Sequence, residues 1–335
     1  DNIGASIAVS IYESTVRAVI NDGATVDAFG EIEVDAGNIR RFPVEVDSPE
    51  EFFTDLVDDV AANPLVALGE LNKSLLHPLF TTGWVYTRAA SKNTDVAVAF
   101  TLQISVDNNH TEAIIADGAQ INQKPAFRSE EQAVSVNAET EFELVNMAGV
   151  FDFGLNAENL VFGPLLDLRN KDKKAALQKR ASKLVEFGAE AEKDAVGTSF
   201  QWIDISNHTV AAIGGSSPVG NDGETSSKLT PSGEPARVHS GPSGGVSVTA
   251  KDDLLHIGFV DSGAKTEDGE FAFAGSGQVF RYNPRDGGGT TAMIGSGTEI
   301  TGGSVEVMAA DDVKLISQNG DFITGDSTGS VGIGV

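Results

Sequence analysis

An all-β solenoid of stacked, repeated strands, interrupted by α-helical insertions, is the fold this sequence predicts. Three observations carry that expectation. A small-apolar strand ending in a Gly turn occurs four times, over 15–23, 110–118, 208–215 and 290–297. Each copy is followed, after a variable gap, by a second alternating strand ending in Ala, over 32–36, 134–138, 246–250 and 305–309. The matched alanines Ala18, Ala113, Ala211 and Ala292 stand 95, 98 and 81 residues apart, so the motifs recur while the chain between them varies.

Each unit opens with its own alternating strand. Ile3, Ala5, Ile7, Val9 and Ile11 share one face of the first, and Val96, Val98, Phe100, Leu102, Ile104 and Val106 one face of the second. Period two over nine or more residues means a strand with one buried face. The third opening, 196–205, changes phase between Phe200 and Ile203, which predicts a bulge. The fourth runs through Phe271, Phe273, Gly275, Gly277 and Val279. The units fall at about 1–47, 93–150, 194–260 and 267–330. Val331-Gly332-Ile333-Gly334-Val335 repeats the pattern of Ile3-Gly4-Ala5-Ser6-Ile7, as though a fifth unit began there, and the Asp1-Asn2 start suggests a piece of a longer chain.

Between units one and two, Ser48-Pro49-Glu50-Glu51 forms a capping box ahead of Phe52, Phe53, Leu56, Val57 and Val60 at helical spacing. Asn63-Pro64 restarts a helix bearing Leu65, Leu68, Leu71, Leu75 and Leu76, which places one helical insertion at 48–80. A second, at 155–193, puts Leu177, Ala181, Leu184 and Val185 on one face. The Gly-, Ser- and Pro-rich stretch 216–245 reads as a surface loop.

Composition narrows the function. Lys+Arg number 23 against 49 Asp+Glu, a net charge of -26, and this balance disfavours nucleic acid as a partner. No apolar run reaches the length of a membrane span. With no cysteine there is no disulfide, thiolate ligand or Cys nucleophile. The surplus acid keeps a strand-rich chain soluble and discourages lateral strand pairing; weak, diffuse Ca2+ binding is the one cofactor role it implies.

The run Ile3–Val9 into Val16–Val26 and then Gly30–Ala36 resembles the repeats of giant bacterial surface exoproteins, the filamentous-haemagglutinin-like and leukotoxin-like adhesin group. That resemblance also covers 93–140 and 287–325, and faintly 194–215; the helical insertions depart from the usual pattern. It implies a right-handed parallel β-helix, an extracellular or cell-surface location and a role as stalk or adhesin. A coil that stacks about every 4.8 Å would bury its inner apolar face against its neighbours. Without the insertions, on the order of 230 residues would give roughly ten coils and a rod about 50 Å long.

Chemical motifs are sparse. Gly241–Gly245 and Gly325–Gly329 match G-x-S-x-G, but neither is followed by the helix that a nucleophile elbow needs. His77, His110, His208, His239 and His256 form no metal-binding spacing, and His110 and His208 occupy equivalent repeat positions. β-Helix lyases hold calcium on acidic clusters beside a basic residue, which makes Asp22, Asp117, Asp222, Asp261, Asp286 and Asp326 candidates; turn formation by Asp-Gly accounts for the same residues. Asn72, Asn109 and Asn207 lie in N-x-S/T sequons. Lys171, Lys173, Lys174, Lys179, Arg180 and Lys183 crowd one helical segment and form the partner-binding candidate, suited to an acidic neighbour, a host or surface polysaccharide, or another copy of the chain.

The leading expectation is thus a non-enzymatic structural segment of a bacterial adhesin or surface filament. A subunit that polymerises end to end through exposed coil ends, and a carbohydrate-active β-helix enzyme, are the alternatives.

Overall fold

The computed structural model describes residues 1–41, 83–90, 94–149, 188–214, 234–267, 271–282, 289–324 and 330–334. They are almost all strand, and every strand pairing is parallel. Among the described residues the one helical element is a 3-10 turn at Pro125–Phe127.

The first pass of the chain runs through β1 (Asn2–Ile20), β2 (Thr25–Val26) and β3 (Ile32–Arg40), with β4 (Gly83–Val85) and β5 (Ala89–Ala90) following. The second contains β6 (Val96–Ile115), β7 (Gln120–Ile121), β8 (Val134–Ala148) and β9 (Ala189–Ala191). The third contains β10 (Asp194–Ile213), β11 (Arg237–His239) and β12 (Gly245–Thr266). The fourth contains β13 (Phe271–Tyr282), β14 (Thr290–Ile294), β15 (Glu299–Thr301) and β16 (Ser304–Thr324), and β17 (Ser330–Gly334) comes last.

Sheet A is ordered β1-β6-β10-β13-β17, with β14 beside β10; the short sheet B is β15-β11-β7-β2. Sheet C is β3-β8-β12-β9-β5, with β16 beside β12 and β4 beside β8. The chain therefore visits A, then B, then C, and returns to A one strand further along. Ala18 pairs with Ala113, Ala113 with Ala211 and Ala211 with Ala292, so equivalent residues lie in one column. Each pass of 81 to 98 residues adds one strand level, which replaces the expected ten narrow coils with a few wide ones. Five levels of sheet A span about 19 Å rather than 50 Å.

At the A-to-B corner the turns require a left-handed backbone, supplied by Gly23, Gly118, Gly214 and Gly297 at φ 68°, 72°, 78° and 81°. The ladder continues through this corner: Ala116 N donates to Ile20 O, and Gly214 N to Ile115 O, at 2.9 and 2.8 Å.

Sheet C explains the insertions. In the third pass β12 runs unbroken for 22 residues. In the second, the same track is β8, then an excursion, then β9: Ala148 pairs with Val260, Ala189 with Ala264. In the first, Arg40 and Gly83 both register on β8, at Phe142 and Asn146, so 42 residues of chain separate two positions four residues apart on the partner strand. The helices expected at 48–80 and 155–193 lie outside the described residues except at the end of the latter, where 189–191 are strand because they pair with β12. Likewise the expected loop at 216–245 contains β11, held by pairing to both β7 and β15, and β12 continues past the 260 boundary to Thr266.

Three apolar groups lie between sheets A and C, and a fourth lies on the outer face of sheet A. Near sheet B, Ile32, Val34, Ile115, Ile121, Val136 and Val248 form the largest. Ile114, Val210 and Ala212, which alternate with the inward Ala113, Ile115, Ala211 and Ile213, form with Ala116 the small group on the outer face of sheet A. Midway, Phe142, Leu144 and Leu254 meet Ile203 and Ile205. At the far end the core is alanine throughout, with Ala97, Ala99, Ala189, Ala195, Ala264 and Ala272 fully or nearly fully buried. The sheets approach closely here: a Cβ on Gly197 would stand 2.3 Å from the Gly263 carbonyl oxygen.

Two sequence expectations are corrected. The inner face of β6 is not the Val, Phe and Ile row but Ala97, Ala99, Thr101, Gln103, Ser105, Asp107 and Asn109, all buried, while Phe100 is 37% exposed. The alanines fit the narrow gap and the polar members bond to one another in columns. Nor is there a bulge at Phe200–Ile203. β10 keeps unbroken register with β6 from Asp194 to Ile213, and what changes is the residue type at inward positions, from Gln201 to Ile203 and Ile205.

Candidate functional site

Two outer faces and a buried polar interior are the features with chemistry. Inside, Gln201 Nε2 donates to Gln103 Oε1 at 2.7 Å, and Gln278 Nε2 donates to Gln201 Oε1 at 2.5 Å, one amide per level. Gln103 Nε2 crosses to Asn146 Oδ1 at 3.3 Å. Asn146 Nδ2 faces His256 Nε2 at 3.2 Å, so this ring nitrogen accepts and the imidazole is neutral. Burial pushes His256 down to about 4, in keeping with that role.

A second polar belt is anionic. Asn109 Nδ2 donates to Asn207 Oδ1 at 3.0 Å, and Asn207 Nδ2 to Asp252 Oδ1 at 2.9 Å. The Tyr282 hydroxyl donates to Asp252 Oδ2 at 2.7 Å. Burial raises Asp252 to about 6 against the pull of those two donors. Tyr282 is itself raised, by burial first and then by the adjoining carboxylate. Nearby, Arg40 pairs with Asp107 at 2.9 Å while its guanidinium lies over the rings of Tyr12 and Phe142. Burial raises Asp107, with Arg40 opposing. Asn109, Asn207 and Asp252 are buried, whereas Arg40 and Tyr12 reach the surface.

The outer face of sheet C is charged toward sheet B and apolar beyond, where Val145, Ile257 and Ile316 share one column. Lys251 Nζ stands 3.3 Å from Glu139 Oε1 and also bonds Asp253; Arg41 pairs with Glu141, and Lys314 with Asp312 at 2.8 Å. Carboxylates beside a Lys are what a lyase would require; here Asp253 and then Glu139 raise Lys251 above its ordinary range, favouring its protonated form.

The outer face of sheet A is apolar across its centre. Its outward columns read Ile7, Leu102, Phe200 and Gly277, then Val9, Ile104, Trp202 and Val279, then Ile3, Val98, Val196 and Phe273. Ile3, Ile7 and Ile11 are 76%, 64% and 70% exposed. The Arg281 to Asp204 pair, 3.6 Å apart, marks one margin.

No family model matches the chain, and no curated protein or solved structure does either. The residues themselves must carry the argument.

Lys171, Lys173, Lys174, Lys179, Arg180 and Lys183 lie outside the described residues, as do Asp222, Asp286, Asp326, His77, Asn72 and the 325–329 motif. The remaining acidic candidates are not brought together. Asp22 and Asp117 flank the stacked turns at the sheet B end, whereas Asp261 lies in β12 near the alanine end, beside a water-sized cavity shared with Thr101 and Ser199. Among the described residues no three His, Asp or Glu could hold a metal ion. Gly241–Gly245 turns directly into β12, with Ser243 N donating to Glu130 O. Asn109 and Asn207 are 1% and 0% exposed with their amides engaged, so the folded chain offers neither as a glycan acceptor. His110 and His208 stack, ring centroids 5.1 Å apart, as equivalent residues on neighbouring levels.

The amide columns were missed from sequence. Their signal was present: Gln103 and Gln201, Asn109 and Asn207, and Thr111 and Thr209 are identical pairs spaced 98 residues apart.

Proposed function

We propose that this chain is a structural segment of an extracellular bacterial adhesin or cell-surface filament, wound as a right-handed parallel β-helix. The observation that supports it is the column register: one continuous parallel pairing links β1, β6, β10 and β13 while the chain circulates through three sheets. Right-handedness follows from the strong preference of parallel β crossovers for that hand. Such a stack extends by adding levels. Its work is mechanical and multivalent, with reach from the stack and contacts from its surfaces.

The test is localisation together with covalent mass. Antibody against the 335-residue chain should label intact cells and decorate rods in negative-stain micrographs, and the labelled protein should run far above 34.9 kDa under denaturing conditions. Antigen confined to the cytosol as compact monomers would overturn the proposal.

End-to-end polymerisation is the second reading, favoured by the open edges. Among the described residues β1 pairs only with β6 and β16 only with β12, and the last level exposes Val305, Val307 and Leu315 at 48%, 46% and 49%. Filaments with a covalent mass of 34.9 kDa would establish it.

A further inference from the structure

We infer that the outer face of sheet A is an interface between two copies of this chain, packed face to face. This goes beyond stalk and end-to-end assembly, which use the strand edges rather than the face.

The face is flat, apolar and large. From Val96 to Val106 it extends about 30 Å along the strands, and four strand levels give about 20 Å across, or about 600 Å². A monomer's largest apolar patch is about 300–600 Å², so this one is at the upper limit, and two copies together would remove about 1,200 Å² from water. That is the lower bound of a stable specific interface, so the pairing is reversible rather than obligate.

Two observations favour a second copy as the occupant. The first is charge. A chain of net charge -26 repels its own kind over most of its surface, and sheet C meets water with Glu139, Glu141 and Lys251. Among the described residues the central columns of sheet A carry no charge, so this is the face on which two copies can meet at least electrostatic cost. The second is relief. Bulky Leu102, Phe200 and Trp202 occupy the middle levels, while Gly275 and Gly277 leave a depression on the fourth. A two-fold axis lying in the plane of the interface, parallel to the strands, would bring the ridge of each copy toward the depression of the other, which is the self-complementarity an isologous contact needs. Aligned sheets pack about 10 Å apart, the separation these side chains fill.

Sedimentation equilibrium on the full 335-residue chain, from about 1 to 200 µM at 150 mM salt, tests the idea. The expected result is a closed monomer–dimer equilibrium with Kd about 1–100 µM, and a blue shift and reduced acrylamide quenching of Trp202 as the dimer forms, resolved with a Trp84→Phe background. Leu102→Glu should weaken dimerisation at least tenfold with unchanged circular dichroism; should that variant misfold, Gly277→Lys at the depression must give the same loss. A chain that stays monomeric at 200 µM overturns the proposal. So does an open-ended series of oligomers unaffected by either variant, which would assign assembly to the strand edges. Monomers with Trp202 already shielded at every concentration would overturn it in favour of a cover from the chain itself, and monomers that bind neutral phosphatidylcholine vesicles in favour of a lipid surface.

Discussion

Asp252 is a carboxylate with no exposure, and its environment fixes how stability should respond to pH. Its ordinary value is 3.8 and its folded value about 6. Below pH 3.8 both states hold the proton; between there and about 6 the folded chain retains a proton that the unfolded chain has released. The contribution is fully present below 3.8 and is lost as pH rises through about 6, on the order of 3 kcal/mol. Asp252→Asn preserves the geometry, accepting from Asn207 and donating to the Tyr282 oxygen. Urea unfolding should find this variant close to the native chain at pH 4 and more stable by about 2–3 kcal/mol at pH 7.5. A margin that does not widen with pH would refute the assignment. His256 runs the other way: depressed from 6.5 to about 4, it supports folding above 6.5 and withdraws that support as pH falls toward 4. Comparing the variant with the native chain at each pH removes the His256 contribution from the measurement.

At the scale of the strand, what was legible in the sequence was period and repeat; what was not was the side of the sheet. Ile3, Ile7 and Ile11 alternate perfectly, and the usual inference sends the larger apolar row inward. Here the inward row of β6 is alanine, threonine and amides, because two sheets that approach as closely as Gly197 and Gly263 leave no room for Val or Phe, and stacked amides satisfy themselves along the column. Two substitutions probe this. Gln201→Ala removes the middle of the amide column, leaving Gln103 Oε1 and Gln278 Nε2 without that partner, and should cost about 2–4 kcal/mol in chemical unfolding. Gly197→Ala places a methyl against a backbone carbonyl that cannot rotate away, and should lower stability by about 2 kcal/mol or more, whereas the same change at open Gly30 should be near neutral. Equal effects at the two glycines would disprove the close approach. The insertions were legible as extra chain, but their origin in sheet C was not, since register is a long-range property that no local pattern encodes.

For the whole molecule, the faces differ: sheet C is charged toward sheet B, sheet A is apolar at its centre, and among the described residues the first and last levels have open edges. Net charge of -26 opposes any assembly through those edges, so association should strengthen with ionic strength. Light scattering between 20 and 500 mM NaCl should show growth with salt, and Val307→Lys on the exposed last level should suppress it; salt-independent scattering would exclude edge-driven assembly. The stacked register has a further consequence under force. The backbone hydrogen bonds between levels point along the stack axis, so tension applied at the two chain ends peels the outermost level from the next, bond by bond, instead of shearing a whole sheet at once. Each release frees one repeat of 81 to 98 residues, a contour gain of about 270–350 Å. Stretched in an optical trap, the chain should lengthen in a few near-equal steps at modest tension and rewind as the load falls, behaving as an extensible tether that absorbs a tug instead of passing it undamped to whatever it holds.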